Sequence, residues 1–132
     1  MYAYAPAVFK TYLTGCLPAD VRVATSVPVK MPAKLVVLRS IQTGAGLKPE
    51  QLSWRRLMIR VYHGDDELAA GELAELVCAL ILSSRRAGIG VRKVLVIGTP
   101  GLFPDKDDGL PSFQMTIDVL MRAIRVTTTT TE

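Results

Sequence analysis

Apolar and polar residues alternate with period two in three stretches of the chain and follow the helical period in two others. From Trp54 to His63, Leu57, Ile59, Val61 and His63 fall on one side while Met58, Arg60 and Tyr62 fall on the other. A strand with one buried face and one face wet or shared with a neighbour has this pattern. The most regular alternation runs from Ser112 to Arg122. Phe113, Met115, Ile117, Val119 and Met121 point to the core there, with Gln114, Thr116, Asp118 and Arg122 pointing out. Between Val91 and Ile97 the alternation disappears. Val94 and Val96 oppose Leu95 and Ile97, so both faces are apolar, and this predicts an interior strand. A long helix is expected between the first and second of these strands in chain order. Leu73, Leu76, Val77, Leu80 and Ile81 form its apolar stripe, with Ala69, Ala70 and Ala74 allowing close approach to a sheet. Asp65 is the expected N-cap, Asp66 and Glu67 suit the positive end of the helix dipole, and Arg85 and Arg86 suit the negative end. Gly88 marks the exit.

The first half of the chain is less regular. Pro6 to Cys16 predicts a short helix, with Val8, Tyr12 and Cys16 on one apolar face and Phe9 and Leu13 beside it. Asp20 to Ala24 alternates like a short strand. Thr25 to Pro32 contains two prolines and reads as irregular or as an edge segment. Leu35 to Leu38 reads as a strand that continues toward Thr43. Gly44-Ala-Gly46 and Lys48-Pro49 then break regular structure, leaving a connection over Gly44–Ser53 that is long for a hairpin. Gly98 to Pro111 reads as a turn-rich loop, with Gly98-Thr-Pro-Gly101 a turn. No internal repeat is present. The expected architecture is a two-layer α+β domain. Its four- to five-stranded mixed or antiparallel sheet is covered on one face by the long helix and the short N-terminal helix. The expected domain spans residues 1–126, followed by a flexible threonine-rich tail over 127–132.

Composition narrows the classes. The chain has 132 residues, enough for one domain with one core. Its 49% hydrophobic content favours a folded chain over a disordered one. The longest apolar run, Leu76 to Leu82, is far short of the roughly 20 residues that span a bilayer. The N-terminus has neither a basic n-region nor a long apolar h-region, so no signal peptide is expected and synthesis is expected in the cytoplasm. Cys16 and Cys78 supply neither a metal framework nor a disulfide scaffold and read as packing thiols. Charge is uneven within a net +4. Residues 1–64 carry nine basic and two acidic side chains, and residues 65–132 carry seven basic and ten acidic ones. That segregation suits packing against copies of the same chain or a charged partner. A plain solvated surface explains charge asymmetry at least as readily.

Motifs for chemistry fail on inspection. His63 is the sole histidine, and no Ser or Cys stands beside it or beside Asp65 and Asp66 in a known catalytic spacing. Asp105-Lys-Asp-Asp-Gly109 resembles a calcium loop only faintly. Counted from Asp105, the sixth position is Leu110 and the twelfth is Thr116, where an EF-hand needs Gly and Glu. Neither Gly44-Ala-Gly46 nor Gly88-Ile-Gly90 leads from a strand into a helix, so neither is a phosphate loop. Trp54-Arg55-Arg56 suggests a nucleic-acid patch, but adjacent strand residues face opposite sides and no further aromatics interleave. Arg and Trp are also frequent in subunit interfaces. No cofactor, metal or catalytic residue is expected.

These features together resemble the tail terminator, or tail completion, proteins of long-tailed bacteriophages. The resemblance lies in the arrangement. A strand ending Arg60-Val-Tyr-His-Gly64 enters an acidic-capped, Ala/Leu-rich helix. A strand then ends at Ile97-Gly98-Thr99-Pro100-Gly101, and a Pro104-Asp105…Gly109…Pro111 loop leads into the closing strand 113–122. It covers roughly residues 5–125 and is strongest over 54–122. The threonine-rich tail and Thr25–Pro32 fit no part of it. The resemblance implies a non-enzymatic, structural virion protein located at the neck of the tail after assembly in the host cytoplasm. Six copies would form a ring on the end of the tail tube, stop its growth and face the head–tail connector. DNA would pass through the central channel without being read.

The residues expected at subunit or tube contacts are Lys48, Trp54, Arg55, Arg56, Arg60, Tyr62, Asp105, Asp107, Asp108, Gln114, Asp118 and Arg122. Among them Arg60, Tyr62, Gln114, Asp118 and Arg122 are assigned to contacts between subunits. The loop Gly44–Ser53 is assigned to the tube or connector. A connector or stopper protein of the neck is the related alternative. A small basic nucleic-acid-binding module, supported by a pI of about 9.3, is the alternative from another class, and an enzyme with scattered residues is a third.

Overall fold

The last of the described strands does not join the sheet at an edge; it inserts beside its centre. In the computed structural model, which describes residues 4–28, 30, 32–42, 52–64, 66–104 and 111–122, the elements run in the order α1 (Ala5–Cys16), β1 (Arg22–Ala24), β2 (Lys34–Ile41), β3 (Leu52–His63), α2 (Glu67–Leu82), β4 (Val91–Pro104) and β5 (Pro111–Arg122). The five strands form one sheet in the order β1-β2-β3-β5-β4. Only β1 and β2 pair in parallel; β2–β3, β3–β5 and β5–β4 are antiparallel. Thus β3, α2 and β4 form a split βαβ unit with β5 lying between its two strands. The architecture is the expected two-layer α+β domain with a mixed sheet.

Both helices pack on the same face of the sheet, α1 over β1–β3 and α2 over β3, β5 and β4. The core between the layers contains Phe9 and Leu13 of α1, Val77 and Ile81 of α2, and Leu57, Ile59, Ile117 and Val119 of the sheet, all fully buried. Burying one such side chain contributes about 1.5–3 kcal/mol. Ala70 and Ala74 are also fully buried and let α2 approach closely. The helices are tied to each other by the Tyr12 hydroxyl, which donates to the Leu80 carbonyl at 2.8 Å. Burial pushes the Tyr12 phenol upward from its ordinary pKa, with Cys16 adding to the shift.

Several expectations are corrected. The apolar face of α1 is centred on Phe9 and Leu13, and the i+4 series lies at its border, where Val8 and Tyr12 pack against the core. Val8 and Tyr12 are half-buried and Cys16 is exposed, so Cys16 is not a packing thiol. In α2 the N-cap is Asp66, whose carboxylate accepts from the Ala69 amide at 3.2 Å; the expected cap, Asp65, lies outside the described residues. Leu76 is 44% exposed and is not part of the stripe. The helix ends at Leu82, and a short 3₁₀ turn, Ser84–Arg86, leads to Gly88 at φ +72°.

The largest correction concerns β4. It is an edge strand, not an interior one. It also continues through Gly98-Thr-Pro-Gly101 to Pro104, with register shifts at Val91/Lys93, Val96/Gly98 and Gly98/Gly101. Bulges of this kind twist an edge and blunt it as a template for further pairing. Pro100 adds to this because it has no amide hydrogen to donate.

Candidate functional site

The face of the sheet opposite the helices carries the residues that the alternation points outward. On β3 these are Trp54, Arg56, Met58, Arg60 and Tyr62, and on β5 they are Gln114, Thr116, Asp118 and Leu120. The register places Tyr62 across from Ser112, Arg60 across from Gln114, Met58 across from Thr116, Arg56 across from Asp118 and Trp54 across from Leu120. Side chains directly opposite on one face lie close enough to interact, and here they do.

Arg56 meets Asp118 through two parallel bonds, Nε to Oδ1 at 2.7 Å and Nη2 to Oδ2 at 3.0 Å. The fork-to-fork geometry fixes both side chains. It also raises the Arg56 guanidinium above its ordinary pKa, first through the hydrogen bonds and then, against the cost of desolvation, through the charge of Asp118. Next along the strands, Arg60 Nη2 donates to Gln114 Oε1 at 3.0 Å, and Nη1 reaches the Tyr62 hydroxyl at 3.5 Å. Tyr62 itself is buried and packs with Ala24, Leu35 and Val37 in a second small cluster on this face. The middle of the face is therefore a ladder of interlocked polar groups beside a buried apolar cluster.

Toward the β4 edge the face becomes apolar again. Leu95 lies across from Asp118 and is 53% exposed, and Ile97 is 48% exposed. No described helix covers either one. A run read as interior therefore supplies the exposed apolar border of this surface. Its signal was present in the sequence, but alternation alone cannot distinguish a strand buried on both faces from an edge strand with a sticky outer face.

The expected contact residues divide into groups. Arg56, Arg60, Tyr62, Gln114 and Asp118 come together on the open face, with half-buried Trp54 near its end. Tyr62 and Asp118, though outward by alternation, are only 3% and 8% exposed. Arg55 lies on the other side of β3, where its Nη1 donates to Ser53 Oγ at 2.6 Å and to the Trp54 carbonyl at 2.9 Å. Arg122 stands apart, at the far end of β5 beside Arg85, Arg86 and Arg92. That grouping was not anticipated. Arg85, Arg86 and Arg92 bracket Gly88 and Gly90 in the sequence, but Arg122 reaches them only through the fold. Lys48, Asp105, Asp107 and Asp108, like residues 44–51 of the Gly44–Ser53 loop, lie outside the described residues.

His63 ends β3 across from Lys34, and Lys34 pairs with Asp20. The Asp20 carboxyl is held below its ordinary pKa, mainly by its hydrogen bond from Lys34, with His63 a minor contributor. Among the described residues no group of three His, Cys, Asp or Glu side chains is placed to hold a metal ion. Among them also, no helix is long and apolar enough to cross a membrane. No protein-family model matches the chain, and no curated protein matches it in sequence.

Proposed function

We propose that this chain is a structural virion protein of the tail-terminator type, one of several copies in a ring that caps a phage tail tube and offers a surface for head–tail joining. The observation that carries this reading is the open face of the sheet. It has a preformed polar ladder, Arg56–Asp118 and Arg60–Gln114, bordered by exposed Leu95 and Ile97. Apolar side chains set beside ordered polar ones are the composition of a protein-binding patch. Side chains already held by neighbours lose little further entropy on docking. The arrangement of strands and turns that resembles tail terminators supports the same reading. In this ring the open face packs against tube, connector or neighbouring copy, and DNA passes through the channel without sequence recognition. The reading requires no cofactor and no catalytic group.

The test is to mix the purified protein with assembling tail-tube protein and measure tube lengths by negative-stain electron microscopy. Short tubes that bear an extra ring at one end and stop growing are the expected result. Tubes that elongate unchanged remove the terminator assignment and leave the neck connector as the structural alternative. In that case, binding to DNA that weakens steeply with salt favours the nucleic-acid module.

A further inference from the structure

The two ends of α2 carry opposite charge and different shape. At its N-terminal end a groove of about 560 Å³ is lined by Glu67, Leu68, Gly71, Glu72, Glu75 and Phe113. Its floor is apolar, because Gly71 leaves room for the tip of the Phe113 ring; a Cβ there would stand 3.1 Å from Phe113 Cζ. Leu68 in its wall is 73% exposed. At the other end Arg85 and Arg86 project from the 3₁₀ turn and join Arg92 of β4 and Arg122 of β5 around Gly88 and Gly90. The Arg122 amide donates to the Gly90 carbonyl at 2.8 Å, which holds the end of β5 against this turn. Phe113 and Arg122 stand nine residues apart on β5, about 30 Å at the rise of a strand. The two features are therefore at opposite ends of one rigid layer.

Helix-dipole matching explains only part of this. It accounts for Glu67 in the first turn and for Arg85 and Arg86 beyond the last. It does not account for Glu72 and Glu75, which lie past the first turn, or for Arg92 and Arg122, which come from strands. Among the described residues, ion pairs join Lys34 to Asp20 and Arg56 to Asp118. None of these three glutamates or four arginines takes part in either. Like charges gathered at one place repel, and an opposite surface relieves the repulsion.

We infer that the arginine cluster of one copy docks into the acidic groove of a second copy, head to tail. The fit is chemical as well as electrostatic. Arginine stems are apolar and lie well against Leu68 and Phe113, while their guanidinium forks meet the carboxylates of Glu72 and Glu75. Each copy has one of each end, so the contact is heterologous and repeats; it closes into a ring or grows into a fibre according to its rotation. This inference rests only on the ring-forming part of the reading above. It leaves the open face of the sheet for other partners.

The test uses the full chain without any tube protein, by sedimentation velocity and equilibrium. Below about 0.1 M salt the mass is expected to rise with protein concentration, and near 1 M, where the Debye length is about 3 Å, it falls to that of the monomer. Two variants follow, Glu72→Arg/Glu75→Arg and Arg86→Glu/Arg122→Glu, all at exposed positions. Each is expected to lose at least about tenfold in self-association. An equimolar mixture of the two associates again, at least into 1:1 pairs, because the intact arginine end of the first meets the intact groove of the second. A wild-type chain that is monomeric at every salt concentration overturns the inference, as does association that the reversals leave unchanged or that the mixture does not restore. Binding of a labelled DNA duplex, lost on arginine reversal while self-association persists, also overturns it and assigns the cluster to nucleic acid. The salt series needs no variant and stands even if one of them fails to fold. Failure to cap tubes would remove the terminator reading and leave this contact intact.

Discussion

The two faces of the sheet are built from the same strands by the same alternation, yet they serve different ends. Toward the helices, Leu57, Ile59, Ile117 and Val119 are fully buried and their partners are apolar. Toward the open side, the intervening residues are satisfied by one another, Arg56 by Asp118 and Arg60 by Gln114. The helix side holds the fold together through area removed from water. The open side is held in place by directional bonds and keeps Leu95 and Ile97 in solvent. A strand buried on one face can therefore carry an ordered surface on the other, one that the described helices leave uncovered.

The contrast is broken most directly by truncating one residue from each face. Ile117→Ala opens a cavity in the core and is expected to cost about 2–5 kcal/mol. Leu95→Ala removes a side chain already half in water, and its expected cost is within about 0.5 kcal/mol. Chemical denaturation of the two variants measures both. Equal losses would mean that Leu95 is buried in solution, and the open face would then not be open. If the tube-capping reading holds, Leu95→Ala also weakens capping while leaving the folded protein intact, the reverse of the effect of Ile117→Ala.

On the open face, satisfaction and burial can be separated. Arg56→Met strands Asp118, whose side chain is only 11% exposed, with no partner for its charge. The expected loss lies between those of Leu95→Ala and Ile117→Ala. It falls below the value for a fully buried pair because Arg56 is itself 31% exposed and water screens the interaction. Arg56→Met combined with Asp118→Leu is expected to recover most of the loss, since an apolar pair needs no partner. A double variant as unstable as the single one would mean that the pair contributes more than mutual satisfaction, and a double-mutant cycle would isolate that term.

What could be read from the chain follows the range of the interactions involved. Alternation over Trp54–His63 and Phe113–Arg122 is a local signal, and both strands and their buried sides lie where it placed them. The position of β4 is non-local. Leu95 and Ile97 read as buried because the sequence does not reveal that β5, the last described strand, inserts next to β3 and leaves β4 at the edge. Val8 and Tyr12 against Phe9 and Leu13 is a similar case. The two helical stripes are adjacent and nearly equally apolar, and only the position of the sheet decides between them. The Arg56–Asp118 pair joins residues 62 apart in sequence. The outward direction of each was legible, but their partnership depended on register.

The smallest effect tests the corrected face of α1. Cys16 was placed on the apolar side by its spacing from Val8 and Tyr12, but it is exposed, whereas Cys78 is 7% exposed and packs among Leu73, Ala74 and Val77 in the core. Thiolate is the reactive form, and Cys78 has less of it at neutral pH because burial pushes its thiol above the ordinary pKa, with Glu75 adding to the shift. Brief alkylation of the native protein, followed by peptide mass spectrometry, is expected to label Cys16 and spare Cys78. Labelling of Cys78 then waits on opening of the domain, and its rate rises with denaturant as stability falls. In strong denaturant the two react alike. Comparable rates in the native protein would place Cys78 at the surface and turn α2 on its axis, which would also move Glu72 and Glu75 away from the groove where the second copy is inferred to dock.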